Sequence, residues 1–236
     1  MKDLSFLQNK IIAHRGVNDN NKVVENTLES FSNAVKLGYA IEFDIHLLKD
    51  NEIVVYHDDN LKRLTGINKD LKDLTYDDIK DIKLLNTNQT IPKLSEVLKL
   101  INGKVPIIIE LKYDRKVGLL EKELVKYLDN YKGKFAVKSF NPLIVRWFKI
   151  NRKDYIRGLL VPRNSKKLKK KIMSHMLLKP LCKPDFLSVD YRRNNKKLLE
   201  KSKIPIIVWT VKKDRSKFKE LYGTIICDNL EGNKKC

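Results

Sequence analysis

Residues 39–58 read YAIEFDIHLLKDNEIVVYHD. Ile41, Phe43 and Ile45 alternate with Glu42, Asp44 and His46, the period-two pattern of a strand with one apolar face and one ionisable face. Asp50-Asn51 reads as a two-residue turn, which makes 47–57 a hairpin. Lys49 then opposes Glu52, and Asp44 opposes His57 on a shared face. A bulge would shift this register by one residue and turn His57 away. His46 shares the ionisable face and reads either as a supporting residue behind the site or as a rim residue. Asp58 reads as a structural partner.

Working outward, the chain alternates short β-rich runs with amphipathic helical segments. Strands are expected at 10–14, 40–46, 105–112, 134–140, 155–161, 185–191, 204–211 and 223–228. Helix-like segments such as NTLESFSNAVKL, IPKLSEVLKLI, GLLEKELVKYL and PLIVRWFKI lie between them. Thr27 and Ser30 mark the start of the first and Gly38 its end. Eight strand–helix units in this length predict an α/β fold, a (β/α)8 TIM barrel. A doubly wound sheet usually carries a GxGxxG loop, and the sequence has none. The hairpin and a polar segment at 58–90 interrupt the alternation. Together, 47–90 reads as an insertion after the second strand, capping the mouth of a single domain that spans 1–236.

The 236 residues, 42% of them apolar, suffice for one sizeable core. No apolar run reaches the roughly 18 residues of a membrane-spanning helix. The N-terminal MKDLSFLQNKIIAHRG lacks the pattern of a signal peptide. Three cysteines (182, 227 and 236) without a CxxC pair argue against a disulfide framework or zinc cluster, so a cytoplasmic location is expected. The net charge of +20, densest in RNSKKLKKKIM at 163–173, is read first as solvated helix faces. The second reading is peripheral contact with an anionic membrane. No zinc-finger spacing or RNA-binding aromatic motif supports a nucleic-acid partner.

The chemistry concentrates at strand ends, where barrels of this type carry their sites. Glu42 and Asp44 face one way on the second strand, as do Glu110 and Lys112 on the third. His14 closes the first strand, with Arg15 next to it, and His57 returns on the hairpin. Three converging carboxylates repel unless a cation intervenes, and an oxygen-only set suits a hard divalent ion, Mg²⁺ or Ca²⁺. Arg15 and Lys112 suit a bound anion, and two histidines can supply an acid and a base. Metal, cationic clamp and histidine pair together indicate cleavage of a phosphate ester.

The same residues carry a family resemblance. HRG at 14–16, ENTLESF at 25–31, EFDIHLLKDNEIVVYHDDNLKRLTG at 42–66, IPKLSEVL at 91–98, IELK at 109–112, SF at 139–140 and VWTV at 208–211 resemble the glycerophosphodiester phosphodiesterases. The resemblance implies a TIM barrel with an insertion after the second strand. It also implies metal-dependent hydrolysis of glycerophosphodiesters to glycerol 3-phosphate and an alcohol. By motif, Glu42, Asp44 and Glu110 would be metal ligands, His14 and His57 the acid–base pair, and Arg15 and Lys112 phosphate-binding groups. Glu25 and Asn26 would brace the site, with Glu25 near His14 or Arg15, and Trp209 and Phe140 would line its mouth. The chain departs from the family at GTIICDNLEG, where Cys227 stands in place of a threonine and reads as a small buried residue. A lysophospholipase D-like activity on the same site is the alternative, suggested by SKKLKKKIMSHMLLKPLC at 165–182. A non-catalytic phosphate- or nucleic-acid-binding barrel would be expected to lose a carboxylate or a histidine, and this chain keeps them all.

Overall fold

A computed structural model describes residues 2–113, 116–162, 179–192, 202–212, 216, 219–220, 223–228 and 230. The strands are β1 (Ile11–His14), β2 (Ala40–Leu47), β3 (Ile53–Val55), β4 (Ile107–Leu111), β5 (Phe135–Ser139), β6 (Ile156–Val161), β7 (Phe186–Asp190), β8 (Ile206–Val211) and β9 (Thr224–Cys227). Their order is β1-β9-β8-β7-β6-β5-β4-β2, and β2 pairs back onto β1. Every one of these pairings is parallel, so eight strands close a barrel without a free edge. The hairpin strand β3 hangs antiparallel on β2. The expected (β/α)8 barrel is therefore observed, with strand limits within two residues of those read from sequence.

Helices α1 (Leu28–Lys36), α2 (Lys62–Thr65), α3 (Tyr76–Ile79), α4 (Leu94–Ile101), α5 (Leu119–Leu128), α6 (Pro142–Asn151) and α7 (Lys179–Cys182) lie between strands. Thr27 Oγ1 accepts the Ser30 N–H at 3.3 Å while Ser30 Oγ accepts the Thr27 N–H at 3.2 Å, a reciprocal cap that starts α1. Asn141 caps α6 through the Leu143 N–H, with Pro142 at its first position. Ile41, Phe43 and Ile45 of β2 pack outward in one core with Phe31 and Ala34 of α1 and Leu94 and Val97 of α4.

The inward face changes character along the barrel axis. Ile12, Ala40, Ile108, Ala136, Phe186, Ile207 and Ile226 form an apolar floor, joined by Leu7 from the turn Ser5–Leu7. Two residues further along each of these strands the same face carries His14, Glu42, Glu110, Lys138, Ser188, Trp209 and Asp228. Strand alternation thus stacks a chemical layer directly on a packing layer.

The hairpin register differs from the sequence expectation. Ile45 opposes Val55 and Leu47 opposes Ile53, so Asp44 lies across from Tyr56 and not His57, and the Tyr56 N–H donates to the Asp44 carbonyl. The Leu48 N–H donates to the Glu52 carbonyl, leaving a three-residue loop with Asn51 left-handed at φ 66°. The extra loop residue moves every pairing by one. His46, read as a supporting or a rim residue, is buried within β2, which fits the first. The hairpin is covered on both faces: Ile53 and Val55 join the main core, while Leu48, Val54 and Tyr56 join a second cluster with Leu61, Leu64, Leu71 and Ile79 of the insertion. Cys182 and Cys227 are buried thiols. No helix among the described residues is long and apolar enough to cross a membrane, and the basic stretch at 163–173 lies outside them.

The floor is tightly packed at Gly158. A Cβ on Gly158 would meet the Phe186 ring at 2.3 Å. Gly158→Ala is expected to lower stability by about 1–3 kcal/mol, the usual cost of overpacking. Thermal denaturation checks this, and Phe186→Leu in the same chain should restore part of the loss.

Candidate active site

Glu42, Asp44 and Glu110 converge at the C-terminal mouth of the barrel, and a carboxylate oxygen from each lies within 4.8 Å of the others. All three are buried, so their repulsion must be answered locally. Lys138 on β5 sits 2.8 Å from Glu42 Oε1 and 3.6 Å from Glu110 Oε2. Lys112 lies 2.8 Å from Asp44 Oδ1 and 2.6 Å from Glu110 Oε1. Arg15 Nε is 3.4 Å from Asp44 Oδ2. Burial pushes the Asp44 carboxyl up, but Lys112 and Arg15, helped by His57 and His14, hold it well below the usual carboxylate range. Glu110 is also lowered, against burial, chiefly by Lys112. Burial acts to lower the Lys112 ammonium, but Asp44 and Glu110 raise it above its ordinary value.

The cluster fits a divalent cation. Neither Glu42 oxygen accepts a hydrogen bond of acceptable geometry, although Oε1 is ion-paired with Lys138, and Oε2 has His14 Nε2 only at 3.8 Å. A buried carboxylate oxygen left in this state is costly without a further partner. Three carboxylates at this spacing can share one hard ion, because oxygens on opposite sides of Ca²⁺ stand about 4.6–5.2 Å apart.

The segment HRG bends the chain over this cluster. Arg15 and Asn26 are left-handed at φ 57° and 58°, and the Asn26 N–H donates to the Arg15 carbonyl at 3.0 Å. Strained residues held together in this way are common at functional sites. Gly16 follows at φ 82°, and a Cβ there would lie 2.5 Å from Ser30 Oγ, so only glycine lets the turn sit on the start of α1. The folded-back segment aims Arg15 Nη1 at Glu25 Oε1 (2.7 Å) and Asn26 Nδ2 at Asp44 Oδ2 (3.1 Å). Glu25 is therefore beside Arg15, one of the two expected places.

Both histidines are tied at Nδ1 to a carboxylate: His14 to Asp228 at the end of β9, and His57 to Asp58 at 2.6 Å. A carboxylate accepts the Nδ1 proton, which leaves Nε2 of each ring for proton transfer. His57 reaches the mouth because the chain leaves β3 at Val55, not through hairpin register. His46 Nε2 lies 3.3 Å from the His57 carbonyl, supporting it from below.

Two cavities open from the cluster. One, of about 390 Å³, is polar and lined by His14, Arg15, Glu25, Arg192, Trp209 and Asp228 among others. Trp209 Nε1 is buried there without a hydrogen-bond partner. The other, of about 730 Å³, runs from His57, Glu110 and Lys112 along Phe140, Leu143 and Leu181. Phe140 and Trp209 touch edge to face at 5.7 Å and separate the two. Sequence reasoning missed Lys138, Asp228 and Arg63. For Lys138 and Asp228 a signal was present, since each sits two residues beyond an apolar floor position of its strand.

The model of the glycerophosphoryl diester phosphodiesterase family matches residues 14–228. The chain is 39% identical over 132 residues to lysophospholipase D GDPD1 of Homo sapiens, covering 50% of this chain and 41% of that one. It is 32% identical over 148 residues to a glycerophosphodiester phosphodiesterase of Caldanaerobacter subterraneus subsp. tengcongensis, covering 58% and 60%. These matches span about two-fifths to three-fifths of the relatives' length. Among solved structures, an Oleispira antarctica phosphodiesterase in complex with the product sn-glycerol-3-phosphate superimposes with TM-score 0.78 at 22% identity, covering 95% of this chain and 94% of that one. A glycerophosphodiester phosphodiesterase from Parabacteroides distasonis does so with TM-score 0.72 at 27% identity, covering 94% of each.

Divalent ions are expected to raise the melting temperature by binding only the folded carboxylate cluster. The gain would be about 2.7 kcal/mol at a hundredfold excess over the dissociation constant. Glu42→Gln should abolish this shift. Melting curves with Mg²⁺ and Ca²⁺ check it, and a shift retained in Glu42→Gln would place the ion elsewhere.

Proposed function

The chain belongs to the glycerophosphoryl diester phosphodiesterase family, and on that footing we propose that it is a metal-dependent glycerophosphodiester phosphodiesterase. The observation that carries the reading is the convergence of two carboxylate-anchored histidines on a buried carboxylate triad flanked by Arg15 and Lys112. The products would be glycerol 3-phosphate and an alcohol, and residues 1–236 would act as one barrel domain with its 47–90 insertion.

Glu42, Asp44 and Glu110 would hold the cation, Mg²⁺ or Ca²⁺. When bound, it supplies positive charge that stabilises the phosphate oxygens in the transition state. Arg15 and Lys112 orient the phosphate and offset its charge. One imidazole Nε2 takes the proton from the attacking hydroxyl, which is water or the neighbouring glycerol hydroxyl. The other Nε2 gives its proton to the departing alkoxide as the P–O bond breaks. Asp228 and Asp58 keep each Nδ1 proton in place and favour the imidazolium that forms. Glu25 and Asn26 brace Arg15 and Asp44, and Trp209 and Phe140 wall the substrate.

His14→Ala and His57→Ala are each expected to lower kcat on glycerophosphocholine by about a hundredfold or more, and EDTA should remove the activity. Near-normal turnover in either variant would end the acid–base assignment. Glycerophosphoethanolamine and glycerophosphoglycerol, assayed alongside with each ion, rank the headgroups.

The larger cavity favours a second reading, lysophospholipase D-like hydrolysis. Phe140, Leu143 and Leu181 line it beside His57, and Leu143 and Leu181 are exposed apolar side chains. An acyl chain could lie there while its phosphate meets Lys112. A cytoplasmic protein with peripheral contact to anionic bilayers fits this reading and the +20 charge. Leu143→Glu is then expected to cut kcat/KM on a lysophospholipid about tenfold, in keeping with the value of one buried leucine, and to spare glycerophosphocholine. Equal effects on both substrates would exclude the groove as an acyl site.

A further inference from the structure

Arg63 comes from the insertion, outside the barrel's strand ends, yet its guanidinium reaches two carboxylates of the site. Nη2 donates to Glu25 Oε1 at 2.6 Å, and Nε donates to Asp58 Oδ2. Glu25 is the carboxylate that holds Arg15, through the same Oε1 at 2.7 Å. Asp58 is the carboxylate that holds His57, through its other oxygen at 2.6 Å. An unbroken chain of charged hydrogen bonds therefore runs Arg15–Glu25–Arg63–Asp58–His57. Its two ends are the group proposed to grip phosphate and one of the two groups proposed to move a proton.

The platform under Arg63 is firm. It lies in α2, whose Leu64, with Leu61 just ahead of the helix, is buried in the insertion's apolar cluster. Gly66 ends the helix at φ 77°, and Asn60 Oδ1 accepts the Lys62 N–H at 3.0 Å. The side chain itself is 43% exposed, so it contributes little to packing. The guanidinium meets the two carboxylates through separate nitrogens held in one plane, Nη2 and Nε, a fixed fork that a single ammonium nitrogen does not reproduce.

We propose that Arg63 is a positioning residue, joining the carboxylate that orients Arg15 to the carboxylate that orients His57 and so fixing the distance between phosphate and proton carrier. This rests on the phosphodiesterase reading above. Without Arg63 each half survives: Glu25 keeps Arg15 and Asn20, and Asp58 keeps His57. What is lost is their relative placement, which acts on turnover more than on binding.

The test compares wild type with Arg63→Met, Arg63→Lys, Asp58→Asn and the Arg63→Met/Asp58→Asn double variant. Readouts are kcat and KM on glycerophosphocholine, glycerol 3-phosphate affinity by calorimetry, and melting temperature. Arg63→Met is expected to lower kcat about ten- to hundredfold, the usual effect of removing an outer support. Its melting temperature and its glycerol 3-phosphate affinity should stay near those of wild type. Arg63→Lys should recover little, and the double variant should cost less than the product of the single effects. A wild-type kcat in Arg63→Lys, or multiplicative single effects, would overturn the proposal. So would a large loss of glycerol 3-phosphate affinity with unchanged kcat, the mark of a direct phosphate ligand. If Arg63→Met does not fold, Arg63→Lys carries the test alone. An inactive wild type would instead refute the phosphodiesterase reading.

Discussion

Three carboxylates buried within 4.8 Å of one another are the constraint on which the rest of the site depends. Charges of one sign at that range, away from water, oppose folding unless cations are brought to them. The barrel does this from three directions: Lys138 from β5, Lys112 from the end of β4, and Arg15 from the turn after β1. Each cation reaches inward because its strand or turn lies beside a carboxylate-bearing strand. Removing one partner would leave an uncompensated charge, so the ionic layer is held as a unit.

The apolar floor makes that layer affordable. The inward positions of the strand starts are filled by Ile, Ala and Phe side chains, and the fit is close enough that β6 has glycine opposite the Phe186 ring. The polar and apolar cavities open at the opposite end, around the mouth. The insertion extends the same division of labour. Its leucines form a separate cluster against one face of the hairpin, and its one inward-reaching cation, Arg63, joins the ionic network.

Much of this was legible in the sequence because a strand writes its two faces into alternate letters. AIEFDIH gives the core and the buried carboxylates of β2 at once, and the eight strands recur with little ambiguity. The hairpin register was not legible, since a two-residue and a three-residue loop read alike around Asp50 and Asn51 until the left-handed Asn51 is seen. Lys138 sits two residues beyond the floor residue Ala136, but the carboxylates it meets lie on other strands, so its letter alone does not announce them. Asp228 and Arg63 escaped for a similar reason: His14 is 214 residues from Asp228, and Glu25 is 38 residues from Arg63. Position in three dimensions, not residue type, makes them part of the site.

The His14–Asp228 bond also orders events in time. It joins the end of the first strand to the residue after the last, and the two meet only when β9 pairs with β1 and the barrel closes. During synthesis His14 emerges 214 residues ahead of its partner. A nascent or cleaved barrel missing its final strand would carry the carboxylate triad and both histidines, yet one histidine would lack the carboxylate that fixes its tautomer. Ring closure is thus also the step that brings His14 and its carboxylate together.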